Sequence, residues 1–188
     1  MPRVIIVDQA DREVGTADKM RVHRDGELHR AFSIFVFRPD GRLLLQQRAL
    51  SKYHSGGLWS NTCCSHPEPG ETVQEAAHRR LREELGFDCE LEPAFTFIYR
   101  AQLGPALYEH ELVHVLVGRS AAAADPDPRE VMALRSVPLA QLEREVAEEP
   151  ERFTVWLAIA LRHLLSKGAH LVPGGRTLRS SRVAETDR

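Results

Sequence analysis

In the run Thr72 to Leu85, the residues Val73, Ala77, Leu81 and Leu85 recur at i, i+4, i+8 and i+12, and Gly86 follows as a stop. A single apolar stripe of that length predicts a helix laid against a core. Just upstream stands Asn61-Thr62-Cys63-Cys64-Ser65-His66-Pro67, so a thiol, an imidazole and the carboxylates Glu71, Glu83 and Glu84 fall within one loop-and-helix unit. That is the material of a metal-dependent site handling a phosphorylated substrate.

The chain has 188 residues, enough to bury the core of one ordinary domain and hardly two. Its 25 Lys+Arg against 27 Asp+Glu give a net charge of -2, so neither nucleic acid nor an anionic membrane surface is an expected partner. The N-terminal apolar run Val4 to Val7 is too short for a signal-peptide core, and no stretch approaches a membrane-spanning length. Three cysteines, Cys63, Cys64 and Cys89, make a poor disulfide framework and suit a reducing compartment. The expectation is a soluble, cytoplasmic monomer.

Mainly strands with a few helices are expected. Arg3 to Asp8 and Val14 to Ala17 read as an N-terminal hairpin. Ala31 to Phe37 and Leu43 to Arg48 flank Arg38-Pro39-Asp40-Gly41, where Pro presets one φ and Gly relieves another, and so form a second. After the Thr72 helix come strands at Ala94 to Ala101 and Glu111 to Val117. The loop Asp125-Pro126-Asp127-Pro128 then leads to a helix around Leu139 to Glu148 and a last helix from about Phe153 to Leu165. Residues 1–167 read as one domain, and 168–188, Gly-, Ser- and Arg-rich, as a loosely held tail.

Arg80 and Glu84 are four apart and share a helix face, as in an ordinary intrahelical ion pair or a charged lining above the preceding loop. Glu109-His110-Glu111 opens a strand, and alternation puts both its carboxylates on one side. His23 and His29 precede the first core strand, and His66 sits in the cysteine loop. Three imidazoles with carboxylates suit Mn²⁺ or Zn²⁺ better than Mg²⁺, which prefers oxygen. Taken singly, each histidine is an ordinary surface or hydrogen-bonded residue, and His54, His78, His110, His114, His163 and His170 are read that way. Cys63 and Cys89 are read as inert thiols.

The spacing from Glu71 through Arg79-Arg80-Leu81-Arg82-Glu83-Glu84-Leu85-Gly86 resembles the Nudix signature, a loop-helix-loop that holds divalent metal against a diphosphate. Two positions depart from it: Ser65 stands where the signature opens with Gly, and Arg80 where a glutamate would collect metal. A cation at Arg80 would attract phosphate oxygens directly. Further motifs are His23 and His29 before Ala31-Phe32-Ser33, Arg48-Ala49-Leu50-Ser51-Lys52, Leu58 to Pro67, Tyr99-Arg100-Ala101 and Glu109-His110-Glu111. Together they are similar to the type I isopentenyl diphosphate isomerases, from the N-terminal strand to Trp156. That resemblance implies an α/β (α+β) Nudix fold, a mixed sheet packed between helices with an extra N-terminal hairpin.

It also implies roles. His23, His29, His66, Glu109 and Glu111 would hold one Mn²⁺, Zn²⁺ or Mg²⁺. Glu84 and the backbone of Cys64 would hold a Mg²⁺ bridging the diphosphate, and Arg48, Lys52 and Arg80 would bind its oxygens. Cys64 and Glu111 would be catalytic with Tyr99 assisting, and Trp156 would cover the reacting carbons. The implied activity interconverts isopentenyl and dimethylallyl diphosphates. Two other readings compete with it: a Nudix hydrolase of nucleoside diphosphate derivatives, and a non-catalytic module in which His23, His29 and His66 bind Zn²⁺ structurally. Arg80 and the Cys64/His66 pair speak against the first, and the absence of a closed Cys/His set at short spacing against the second.

Overall fold

The computed structural model describes residues 2–167, and the tail expected at 168–188 lies outside the described residues. In chain order the elements are β1 (Arg3–Val7), β2 (Glu13–Asp18), α1 (Lys19–Asp25), β3 (His29–Phe37), β4 (Leu43–Arg48), β5 (Trp59–Ser60) and β6 (Cys63–Ser65). Then follow α2 (Val73–Leu85), β7 (Leu91–Gly104), β8 (Leu107–Arg119), β9 (Val131–Val137), α3 (Leu139–Glu148), a 3-10 turn at Pro150–Arg152 and α4 (Val155–Lys167). No helix among the described residues is long and apolar enough to cross a membrane.

The strands form one mixed sheet with β1 and β2 as its N-terminal hairpin. At its centre β3 runs parallel to β8, in register from His29↔Glu111 to Phe37↔Arg119, and β8 pairs antiparallel with β7. Alternation along β3 feeds two cores. Ala31, Phe35 and Phe37 pack with Val113, Val115 and the α4 residues Leu157, Leu161 and Leu164. Phe32, Ile34 and Val36 pack with Ala77, Leu81 and Leu85 of α2. The sheet therefore lies between α2 on one face and α3 with α4 on the other, as the sequence predicts.

The stripe of α2 is the apolar side of that second core. Thr72 and Glu75 cap its first turn reciprocally, and Gly86 closes it at φ 70. Besides the 3-10 turn, four elements were not anticipated: α1, β5, β6 and β9. The first is a seven-residue helix capped by the Asp18 side chain and ended by Gly26, and the next two are strands of two and three residues.

Those two short strands set the centre of the molecule. β3 and β4 pair through Phe37↔Leu43, beyond the turn, and the segment 59–65 runs between the diverging strands. β5 pairs with β4 at Gln46↔Ser60, and β6 pairs with β3 at Ser33↔Cys64. Thr62, fully buried, closes the gap: its hydroxyl donates to the Leu44 carbonyl at 2.6 Å and accepts the Val36 N–H at 2.9 Å. Thr62→Val keeps the shape but leaves both backbone groups unpaired, at about 1–3 kcal/mol each. We therefore expect urea unfolding to show a loss of about 2–4 kcal/mol; a loss below about 1 kcal/mol would show that the hydroxyl bridge is not what holds the strands apart.

Candidate active site

The cavity between α1, β6, α2, β8 and α4 gathers side chains from eight of the elements and from the β4 to β5 loop. Lys19, Ser33, Arg48, Lys52, Tyr53, His54, Cys64, His66, Arg80, Glu84, Tyr99, Glu109, Glu111 and Trp156 are among its walls. His23 and His29 stand behind it, fully buried. The residues nominated from sequence thus converge on one place.

His23, His29, His66 and Glu111 each present a ligand atom within 4.8 Å of the others, and His23, His54 and Glu109 form a second such group. The ring orientations are fixed by the backbone. His23 Nδ1 lies 2.7 Å from the Lys19 carbonyl, and His29 Nδ1 lies 2.9 Å from that of Glu27. A carbonyl only accepts, so both Nδ1 atoms carry hydrogen, and each Nε2 offers a lone pair when its ring is neutral. His29 Nε2 faces His66 Nε2 at 3.2 Å, and His66 Nε2 lies 2.9 Å from Glu111 Oε1. His23 Nε2 and Glu109 Oε2 are buried, have no hydrogen-bond partner and are 3.4 Å apart. Burial pushes the His29 and His66 imidazoles well below the usual histidine range, which keeps them neutral. Neutral imidazoles converging on carboxylates, with orphaned lone pairs between them, fit a divalent cation.

Glu111 also accepts from the Tyr99 hydroxyl at 2.9 Å. Burial raises both groups, the Tyr99 hydroxyl strongly, so Tyr99 stays a hydrogen-bond donor. A cation beside Glu111 would favour its ionised form.

The adjacent cysteines diverge. Cys63 is fully buried against α2, whereas Cys64 lines the cavity. Asn61 commits its amino group to the carbonyls of Ile34 at 3.0 Å and Cys63 at 3.1 Å. Its Oδ1 therefore faces Cys64 Sγ, 2.9 Å away, and the thiol donates. Burial pushes that thiol up to about 12, so Cys64 is held protonated. The same polar chain reaches the aromatic wall: Trp156 Nε1 donates to Ser60 Oγ at 2.9 Å, and Ser60 Oγ lies 3.3 Å from Asn61 Oδ1. The Arg48 guanidinium sits 5.2 Å from the Trp156 ring centre.

Of the three carboxylates around α2, only Glu84 faces the cavity. Arg80 Nη2 donates to its Oε1 at 2.7 Å, and Gln46 Nε2 to its Oε2 at 3.1 Å. With Glu84 only 4 % exposed, this pair is not an ion pair on a solvated face. Glu71 is taken up by a two-pronged contact with Arg79 at 2.7 Å, and Glu83 is exposed beside Arg79 and Arg80, so both leave the list of site carboxylates. Lys52 pairs with Glu130, which also reaches Arg80 at 3.3 Å.

Three cavity residues were missed in the sequence. Lys19 opens the unanticipated α1, its ammonium buried near Glu109 and Glu111 and lowered in pKa chiefly by that burial. Tyr53 carries the Lys19 ammonium at 5.4 Å from its ring centre. His54 was read as an ordinary surface or hydrogen-bonded histidine and not as a cavity residue; its Nε2 lies 3.3 Å from Glu109 Oε1, and its side chain is 8 % exposed. Among the other histidines, His78 pairs with Asp88, His114 with Asp11, His110 bonds the Gly26 carbonyl and His163 stacks on Phe97, all away from the ligand cluster. His170 lies outside the described residues.

The NUDIX domain profile matches residues 27–157. A Burkholderia multivorans isopentenyl-diphosphate Delta-isomerase is 56% identical over 82% of this chain and 88% of its own length. The chain belongs to the Nudix isopentenyl-diphosphate Delta-isomerases. An Aromatoleum aromaticum protein of that family, isopentenyl-diphosphate Delta-isomerase 2, is 51% identical over 87% of each chain. A crystal structure from Deinococcus radiodurans superposes with a TM-score of 0.72 at 22% identity, covering 86% of this chain and 98% of that one, and shares the fold.

Removal of one imidazole tests the cluster. His66→Ala, at the edge of the cluster rather than in either hydrophobic core, is expected to lose the tightly held ion by metal analysis while its urea midpoint stays near that of the parent. Full metal retention would take His66 off the ligand set.

Proposed function

We propose that the chain interconverts isopentenyl and dimethylallyl diphosphates, protonating the terminal alkene carbon and removing a proton two carbons away. The observation that carries this reading is one cavity walled by a protonated thiol, a tyrosine-bonded carboxylate, an indole face and a cluster of cations. An alkene is a weak base, so its protonation creates a tertiary carbocation that water would capture unless excluded. Trp156, 6 % exposed, offers quadrupole density without a nucleophilic lone pair. Proton addition and removal need two groups flanking the substrate, and Cys64 and the Glu111/Tyr99 pair take these roles.

Arg48, Lys52, Arg80 and, from α1, Lys19 bind the diphosphate oxygens. Beside them, Glu84 and the backbone of Cys64 would hold a Mg²⁺. His23, His29, His66, Glu109 and Glu111 would hold the second ion, Mn²⁺ or Zn²⁺ by the chemistry of three imidazoles, or Mg²⁺. When bound, these ions supply charge that fixes the diphosphate and orients Glu111. The reading also takes the enzyme to be a cytoplasmic monomer whose partner is its small-molecule substrate.

Purified protein given isopentenyl diphosphate with Mg²⁺ and Mn²⁺ is expected to yield dimethylallyl diphosphate without releasing phosphate; phosphate release without isomer would favour a hydrolase. Arg80→Ala is expected to raise KM by an amount corresponding to about 1.5–3 kcal/mol, with a smaller effect on kcat. An unchanged KM would leave Arg80 as a partner of Glu84 alone. Cys64→Ala is expected to lower kcat by about 100-fold or more with substrate binding largely kept, and Cys63→Ala to remain active. The reverse pattern would exchange the roles of the two thiols.

A further inference from the structure

The implied ligand set leaves His54 without a task, yet the loop that carries it is built to point it inward. Between β4 and β5 the chain folds back through Ser55 at φ 51 and Gly57 at φ 80, a left-handed bend that a serine adopts only when its surroundings hold it there. Three hydrogen bonds do so. Gly57 N–H donates to the Arg48 carbonyl at 2.9 Å, Gln47 Nε2 to the Gly57 carbonyl at 2.8 Å, and Arg48 Nη2 to the His54 carbonyl at 3.3 Å.

The imidazole so placed meets two functional side chains at once. Its Nε2 lies 3.3 Å from Glu109 Oε1, and its ring is perpendicular to that of Trp156, 5.6 Å between centres at 87°. Outside it, the Tyr53 ring packs at 4.3 Å and shields it. Glu109 is the carboxylate whose other oxygen, Oε2, is buried without a partner beside the lone pair of His23 Nε2. A carboxylate oxygen accepts, so with its hydrogen on Nε2 His54 faces Glu109 as a donor, and its Nδ1 accepts from the Ser55 hydroxyl 3.3 Å away. In that tautomer His54 has no lone pair for an ion on the Glu109 side; it has a hydrogen to give Glu109.

We propose that His54 is a positioning residue of the metal site: it donates to Glu109 Oε1, leaving Oε2 turned towards the ion, and its ring, packed perpendicular to the indole, holds Trp156 in place. The inference rests on the cation reading of the histidine and carboxylate cluster given above. Ligating carboxylates are oriented by such outer hydrogen bonds, and their removal typically weakens metal binding about 10- to 100-fold. One side chain thus links the ion to the wall that faces the reacting carbons, so loss of His54 disturbs both.

The full-length protein, stripped by chelation and titrated with Mn²⁺ alone, tests this by free-ion measurement without any turnover. His54→Ala is expected to weaken Mn²⁺ binding about 10- to 100-fold at an unchanged urea midpoint of the metal-free protein. His54→Gln, whose side-chain amide carries an N–H donor at a similar reach, is expected to recover most of it, since the role is donation and not ligation. Indole fluorescence is expected to shift in His54→Ala. Wild-type affinity in His54→Ala would overturn the proposal, as would His54→Gln binding no better than alanine. If the wild type itself took up Mn²⁺ no better than His66→Ala, the metal site as a whole would fall, and His54's role with it.

Discussion

The hydroxyl of Thr62 is the contact on which the site depends. Two strands joined by a tight turn would ordinarily pair along their length and satisfy each other's backbone groups. Here β3 and β4 part, and Thr62 bonds to one group from each, with Asn61 beside it on the Ile34 carbonyl. The segment 59–65 can then run through the middle of a sheet instead of over its surface. Period-two alternation within it sends Cys63 into the core under α2 and Cys64 into the cavity, and delivers His66 to the histidine cluster.

Burial then does chemical work at each group so delivered. It holds the Cys64 thiol and the Tyr99 hydroxyl protonated and keeps His29 and His66 neutral. Neutral imidazoles are ligands and a buried thiol is a proton carrier, so exclusion of water sets the protonation states that the proposed reaction uses. That exclusion also protects a carbocation from capture. The cations lie towards α2 and the β4 to β5 loop, with Arg80 and Lys52 both reaching Glu130.

Long periodic elements were legible in the sequence. The stripe of α2, the two hairpins, the strands around Phe97 and Val113 and the helices near Leu142 and Trp156 were read from apolar spacing and turn residues. What escaped was short or disguised. α1 has seven residues, and its buried members Val22 and His23 make too brief a stripe to read as a period. β5 and β6 owe their strand geometry to the neighbours they pair with. In β9 the alternation Val131, Ala133, Arg135, Val137 is broken by an arginine, whose guanidinium lies 4.6 Å from the ring centre of Trp59 and 5.8 Å from that of Phe153, a half-buried cation–π contact in place of an apolar one. Lys19 and His54 were missed with the elements that carry them. The Asp18 cap and Gly26 stop around α1 were the available signals for Lys19; for His54, set by a left-handed Ser55, there was none.

The central claim is that two proton carriers flank one cavity, so that a proton from solvent enters one carbon and another leaves two carbons away. Proton NMR of the reaction run in D₂O with isopentenyl diphosphate tests it directly. The account predicts deuterium in the newly formed methyl group of dimethylallyl diphosphate. Isomer formed with no solvent deuterium in that methyl would mean a hydrogen passed directly between the carbons, and would contradict the account.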